Sequence, residues 1–263
     1  MVERPLIRAA AVAALILLPA ACATGGGSGP VALPVSGYLD AAALDALSDG
    51  VTPSPQTLTW TGAEVPGAGP GTDRWWMATA QAELRAPEAA QHFDCVLGTR
   101  LTGAPRPALT RLMNRLLVDA DSLTRRLTAE TPRARPIAID PSLQPCQRVT
   151  DATRDGPSWP AGGAVAGAAY GEMFAALAPD RADGARRTGH EIGISRVVCR
   201  MNWPGDARDG ERLGQALYAR AAATPGFAAD LEAARAEVAA ARAEGLSNPS
   251  CAAERRALRQ AGR

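Results

Sequence analysis

The fold class predicted by this sequence is an all-α helical bundle, and three observations predict it. Apolar residues recur at helical spacing: Leu109, Leu112, Met113, Leu116 and Leu117 fall at i, i+3, i+4, i+7 and i+8, and Tyr170, Met173, Phe174 and Leu177 repeat the pattern. Strand-type alternation is nowhere sustained. Prolines sit at the ends of the periodic segments, Pro107 in the first turn of the Leu109 helix and Pro179 just beyond the Tyr170 helix.

The elements follow in order. Residues 1–22 carry Arg4 and Arg8, an apolar run Ala9–Leu18 too short to span a bilayer, and Pro19-Ala20-Ala21-Cys22, which reads as an export signal. A cysteine after small residues and before a Gly/Ser tether looks like a bacterial lipoprotein signal, with Cys22 as the lipidated residue; ordinary cleavage near Cys22 is the alternative. Residues 23–72 form a flexible tether and loop-rich N-terminal segment, since 23 to about 37 and 50–72 are rich in Gly, Pro, Ser and Thr, with one short helix at Tyr38–Leu47. A helical domain is expected from 73 to 263, with helices at about 73–84, 86–96, from Pro107 onward, Ala164–Ala178, 186–200, 206–222 and 227–244. In the last of these, Leu231, Ala234, Val238 and Ala241 mark a narrow seam of an amphipathic helix lying on the bundle. The charged stretch Glu254–Arg259 reads as a solvated face.

Composition excludes several functions. The 263 residues carry 28 basic and 27 acidic side chains, a formal charge of +1 with no long basic run, which argues against a nucleic-acid partner. There is no lysine, so Schiff-base and Walker-type chemistry is out of reach. Only His92 and His190 offer imidazole, and neither a metal site nor a cofactor is expected. His92, near a helix end, reads as a packing or hydrogen-bonding residue, and His190 as a surface or supporting one. A serine-hydrolase pairing of Ser195 with His190 lacks any nucleophile elbow. The pair Trp75-Trp76 reads as core or inter-helix filler, with a ligand platform as the alternative. Cys95, Cys146, Cys199 and Cys251 are even in number without a C-x-x-C, the pattern of two structural disulfides; arithmetic leaves three pairings open.

Three segments place arginine or glycine where an anion would be held: Thr131-Pro132-Arg133-Ala134-Arg135-Pro136, Ser158-Trp159-Pro160-Ala161-Gly162-Gly163, and Ser195 through Asp206. The second runs straight into a helix, whose free N–H groups and positive end suit a phosphate. Arg135 and Arg196 add planar bidentate donors. In this order the segments resemble the class A bacterial nonspecific acid phosphatases of the type 2 phosphatidic acid phosphatase and vanadium haloperoxidase superfamily, whose pattern is K-x6-R-P, P-S-G-H and S-R-x5-H-x3-D. Arg135-Pro136, Pro160, Gly162, Ser195, Arg196 and Asp206 match it, and the resemblance spans roughly residues 75 to 260.

The resemblance implies the helical fold of that superfamily and the pairings Cys95–Cys146 and Cys199–Cys251. It also implies a phosphohistidine mechanism, in which the third-block histidine attacks phosphorus, the aspartate orients it and the second-block histidine protonates the leaving oxygen. This chain departs at four positions. Thr128 stands for the lysine, Ala161 for the serine, Gly163 for the acid and Asn202 for the nucleophile. An asparagine amide has no basic lone pair to take a phosphoryl group, and loss of a general acid costs roughly 10²–10⁴ in rate. The expectation is therefore an exported acid-phosphatase-like protein, periplasmic or an outer-membrane lipoprotein held by its lipid. It would be catalytically impaired, with Arg135, Arg196 and Gly162 still binding phosphate or another oxyanion. Asp206, without an imidazole to orient, is expected either to pair with Arg196 or Arg200 or to keep a ligand contact. Two readings compete: an active hydrolase with a rearranged nucleophile or an activated water, and a purely structural envelope protein whose arginines are neutralised by Asp206, Glu191 or other acids.

Overall fold

The structure, a computed structural model, describes Met1 and residues 35–260. The export segment, Cys22 and the tether up to Pro34 lie outside the described residues. Eleven α-helices and no strand occur among the described residues: α1 (Ala41–Ser48), α2 (Asp73–Ala80), α3 (Asp94–Leu97), α4 (Pro107–Glu130), α5 (Pro136–Ile139), α6 (Asp151–Asp155), α7 (Gly162–Leu177), α8 (Ala182–Val198), α9 (Pro204–Ala222), α10 (Pro225–Ala243) and α11 (Cys251–Gln260). None is long and apolar enough to cross a membrane.

Helix α7 is the axis of the bundle, packed by α8, α9 and α4. It has no polar stripe because most of its residues are buried, among them Val165, Ala169, Tyr170, Met173 and Phe174. Small residues let its neighbours approach closely. A Cβ on Gly189 of α8 would lie 2.4 Å from the carbonyl of Gly167, and one on Gly214 of α9 would lie 2.2 Å from that of Val165. The leucine stripe of α4 is buried against this axis as its spacing predicts, and Phe93 stacks on Phe174 with centroids 4.1 Å apart. Helix α10 lays Phe227, Ala234, Val238 and Ala241 on α4. Pro107 occupies the first turn of α4 and Pro225 that of α10, where Thr224 caps Phe227 N–H.

Several expectations need correction. The disulfides join Cys95 to Cys251 and Cys146 to Cys199, with Cα–Cα separations of 5.4 and 4.7 Å, in place of the pairings the resemblance implied. The reason is topological: α11 folds back along α2 beside α3, so Cys251 arrives at Cys95, while the loop after α5 passes the C-terminal end of α8. The stretch Glu254–Arg259 is part of α11, with Ala257 fully buried. Trp75 is buried but Trp76 is 61% exposed. The compact unit that holds the helices takes in residues from Val35 onward. The Asp119 carboxylate of α4 accepts the N–H groups of Tyr38 (2.8 Å) and Leu39 (3.2 Å), pinning the start of α1. Residues 50–72 hold no helix, yet Ala68 is buried and Ser54, Gln56 and Trp60 reach inward.

Candidate functional site

The three sequence blocks converge at the N-terminal end of α7. Ala161 caps the helix with its backbone alone, its N–H held by the carbonyl of Asp206 at 3.1 Å, and it is fully buried beside Ala164, Val197 and Ala207. No protein acceptor among the described residues takes the N–H of Gly162 or Gly163, as expected for the first helical positions. Gly162 backs onto Thr124 of α4, whose Oγ1 is buried without a partner.

Arg196, in the last turn of α8, lies across this helix end. Its stem runs so close to Gly163 that a Cβ there would stand 2.6 Å from Arg196 Cδ. Its Nη1 donates to Gln147 Oε1 at 3.1 Å, and Gln147 is held there because it follows Cys146, which is bonded to Cys199 at the end of the same helix. Arg135, at the cap of α5, donates Nη1 to the carbonyl of Met201 at 2.7 Å. That carbonyl is presented by the turn at Arg200, whose φ of 58° is left-handed. The Arg200 guanidinium lies over the rings of Trp75 and Trp60, 4.9 and 5.4 Å from their centroids.

What surrounds the two guanidiniums is unusual. Neither Arg135 nor Arg196 has a carboxylate within ion-pair distance among the described residues, and Nε of both is buried without an acceptor. Nη2 of each also has no acceptor among the described residues. Burial and the neighbouring charge of Arg135 pull the Arg196 guanidinium down to about 10, and burial lowers that of Arg135 as well, against the opposing charge of Asp206 beyond ion-pair distance. Two partly buried like charges without a counter-ion are costly unless an anion joins them.

Asp206 is fully buried and pairs with neither Arg196 nor Arg200. Its carboxylate accepts from Ser158 Oγ (2.6 Å), Gln56 Nε2 (2.6 Å) and Arg133 Nη1. Burial pushes this carboxyl up, against the opposing pull of those three partners. Asn202 turns its Nδ2 to the carbonyl of Ser158, and Trp203 donates Nε1 to the carbonyl of Ala134 at 2.9 Å. The third block is thereby tied to the second and to the first by polar contacts.

No protein-family model matches the chain. It is 30% identical over 176 residues to an acid phosphatase of Zymomonas mobilis, 65% of each chain, and so spans just under two thirds of that relative's length. It is 26% identical over 170 residues to a non-specific acid phosphatase of Salmonella typhimurium and 27% over 169 to one of Providencia stuartii, each match covering 64% of this chain and 68% of the relative. These relatives support the acid phosphatase family for this chain.

The remaining motif positions are dispersed or reused. Thr128 bonds back to the carbonyl of Arg125 within α4, at 3.1 Å, and has no polar contact with the arginines. Ser195 is buried, accepting from Arg74 Nη1 (2.8 Å) and donating to Gln81 (2.5 Å), so it belongs to the core polar network. His190 Nδ1 meets Glu211 at 2.9 Å on the surface, and His92 bonds the carbonyl of Glu83 at 2.8 Å. Neither imidazole is among the contacts of the arginine site. Sequence reasoning missed Gln56, Ser54 and Gln147, which with Arg133 of the first block complete the site's surroundings. Gln and Ser inside a Pro/Gly-rich stretch carry no periodic signal, and Gln147 is placed only by the disulfide beside it.

Proposed function

We propose that this protein binds phosphate or a related oxyanion at Arg135 and Arg196 over the N-terminal end of α7, and that it has lost efficient phosphomonoester hydrolysis. The observation that carries the reading is the pair of partly buried guanidiniums without a carboxylate partner, set beside helix N–H groups that have no acceptor. A tetrahedral oxyanion offers both what they lack: charge compensation and bidentate acceptors. The alternative of a pocket closed by its own acids is disfavoured, because Asp206 is taken by Arg133 and Glu191 by Arg74.

Impairment of hydrolysis rests on positions rather than on any missing fold. At 202 an amide is tied to the Ser158 carbonyl, and at 163 a glycine lies beneath the Arg196 stem. Neither supplies a nucleophile or a proton. Export and lipid attachment at Cys22, with the protein in the periplasm or on the outer membrane, belong to the same proposal and rest on the N-terminal sequence.

The test is a titration of purified protein with phosphate and with vanadate, followed by calorimetry and thermal unfolding, together with p-nitrophenyl phosphate turnover from acidic to neutral pH. Binding abolished by Arg196→Ala, with turnover at the buffer rate, is expected. Turnover comparable to that of an intact relative, or no binding of either anion, overturns the reading.

A further inference from the structure

A second recess lies between α2 and the start of α11. The stripe Asp73, Trp76, Met77 and Ala80 forms one wall, Ala253 and Glu254 the other, and together with Gln81 and His92 they enclose about 270 Å³. The walls are clamped by the Cys95–Cys251 disulfide and by the Arg256–Asp73 ion pair at 2.8 Å.

Three polar groups at this recess have no partner among the described residues. Among the described residues the Glu254 carboxylate has no hydrogen-bond or ion-pair partner, although it is largely sequestered. Gln81 is 3% exposed, and its Oε1 accepts from the Ser195 hydroxyl, which itself accepts from Arg74. That chain of donors fixes the amide orientation and leaves Nε2 as a donor without an acceptor. His92 is 6% exposed; its Nε2 faces the Glu83 carbonyl, so Nε2 carries the proton and Nδ1 presents a lone pair. Burial lowers the basicity of this imidazole and keeps it neutral. What remains accessible of both side chains opens on the recess they line. Beside them stands the indole of Trp76, whose exposure has no explanation in the packing of the bundle.

We infer that this recess is a binding site for a small organic cation, a primary amine on an aromatic or alkyl body. The ammonium would give its protons to the Glu254 carboxylate and His92 Nδ1, and the body would lie on Trp76 and Met77, where an indole face favours both apolar contact and positive charge. The inference is independent of the arginine site, which lies on other elements and selects the opposite charge.

The probes are 2-phenylethylamine, the neutral isostere 2-phenylethanol and the anion phenylacetate, titrated into the intact, disulfide-bonded protein with calorimetry and tryptophan fluorescence. The work is done at pH 8, above the value of about 7 to which burial, Asp94 and Glu191 raise Glu254 against Arg255. Asp73 stays paired with Arg256 under these conditions and His92 stays neutral. The amine is expected to bind at least about tenfold tighter than the alcohol, with no binding of the acid. Glu254→Gln should remove that tenfold preference while leaving alcohol binding unchanged, and Trp76→Ala should weaken amine and alcohol alike. Equal affinities for amine and alcohol, an unchanged preference in Glu254→Gln of wild-type fold, or no heat from any probe up to about 10 mM would overturn the assignment.

Discussion

Replacing Arg196 by methionine keeps the stem that covers Gly163 and removes the charge. A guanidinium pulled down from its ordinary value to about 10 is disfavoured in the fold by roughly 3 kcal/mol relative to water. Against this stands the hydrogen bond from Nη1 to Gln147, which is worth about 1.5–3 kcal/mol when the donor is charged. The substituted protein should therefore be more stable without ligand, by up to about 1.5 kcal/mol, or up to roughly 6 °C in Tm for a chain of this size. Phosphate at about a hundred times its Kd should stabilise the wild type by about 2.7 kcal/mol and the variant by far less. Differential scanning calorimetry with and without phosphate reads both effects. The pattern expected is opposite in sign for the two conditions: the variant melts higher in plain buffer and lower in phosphate. A variant that melts below wild type in plain buffer and still gains the full phosphate shift would refute the reasoning, because the guanidinium would then be a structural group satisfied by the protein itself.

Four further outcomes follow from the same geometry. Glu254, raised to about 7 in the fold from 4.5, should contribute stability that is fully present below about pH 4.5 and lost as pH rises through about 7; Glu254→Gln should flatten that slope in denaturant titrations, by at most roughly 3 kcal/mol. Gly189→Ala should destabilise by about 1–3 kcal/mol, seen as a shift in the urea midpoint, since its Cβ would lie 2.4 Å from the Gly167 carbonyl with backbone on both sides. Replacing Cys146 and Cys199 by serine should reduce the phosphate-induced Tm shift by freeing Gln147, whereas replacing Cys95 and Cys251 should loosen α11 and leave that shift intact; equal effects from the two pairs would contradict this. Restoring Thr128→Lys, Ala161→Ser, Gly163→His and Asn202→His should produce p-nitrophenyl phosphate turnover only if Arg196 swings off residue 163, so adding the histidine at 163 alone should lower anion affinity.

The sequence by itself determined the helical class, the main helices and the arginine-bearing blocks. Periodicities such as Leu109 to Leu117 are local: each residue reports the face it will bury, and the proline punctuation needs no partner. It also named the four positions at which catalytic residue types are replaced, because residue identity is chemistry before folding. Tertiary structure alone decided the rest. Which cysteines pair depends on α11 returning along α2, an event without local signal, and the charged surface of α11 conceals its one buried stripe at Ala257. Asp206 was placed with Arg133, Ser158 and Gln56 by the loop of residues 50–72, whose composition marks a loop but not what it covers. That Arg135 and Arg196 stand together without a counter-ion is likewise a property of the whole fold. Charge compensation depends on distances between segments far apart in the chain, and only the packed bundle sets those distances.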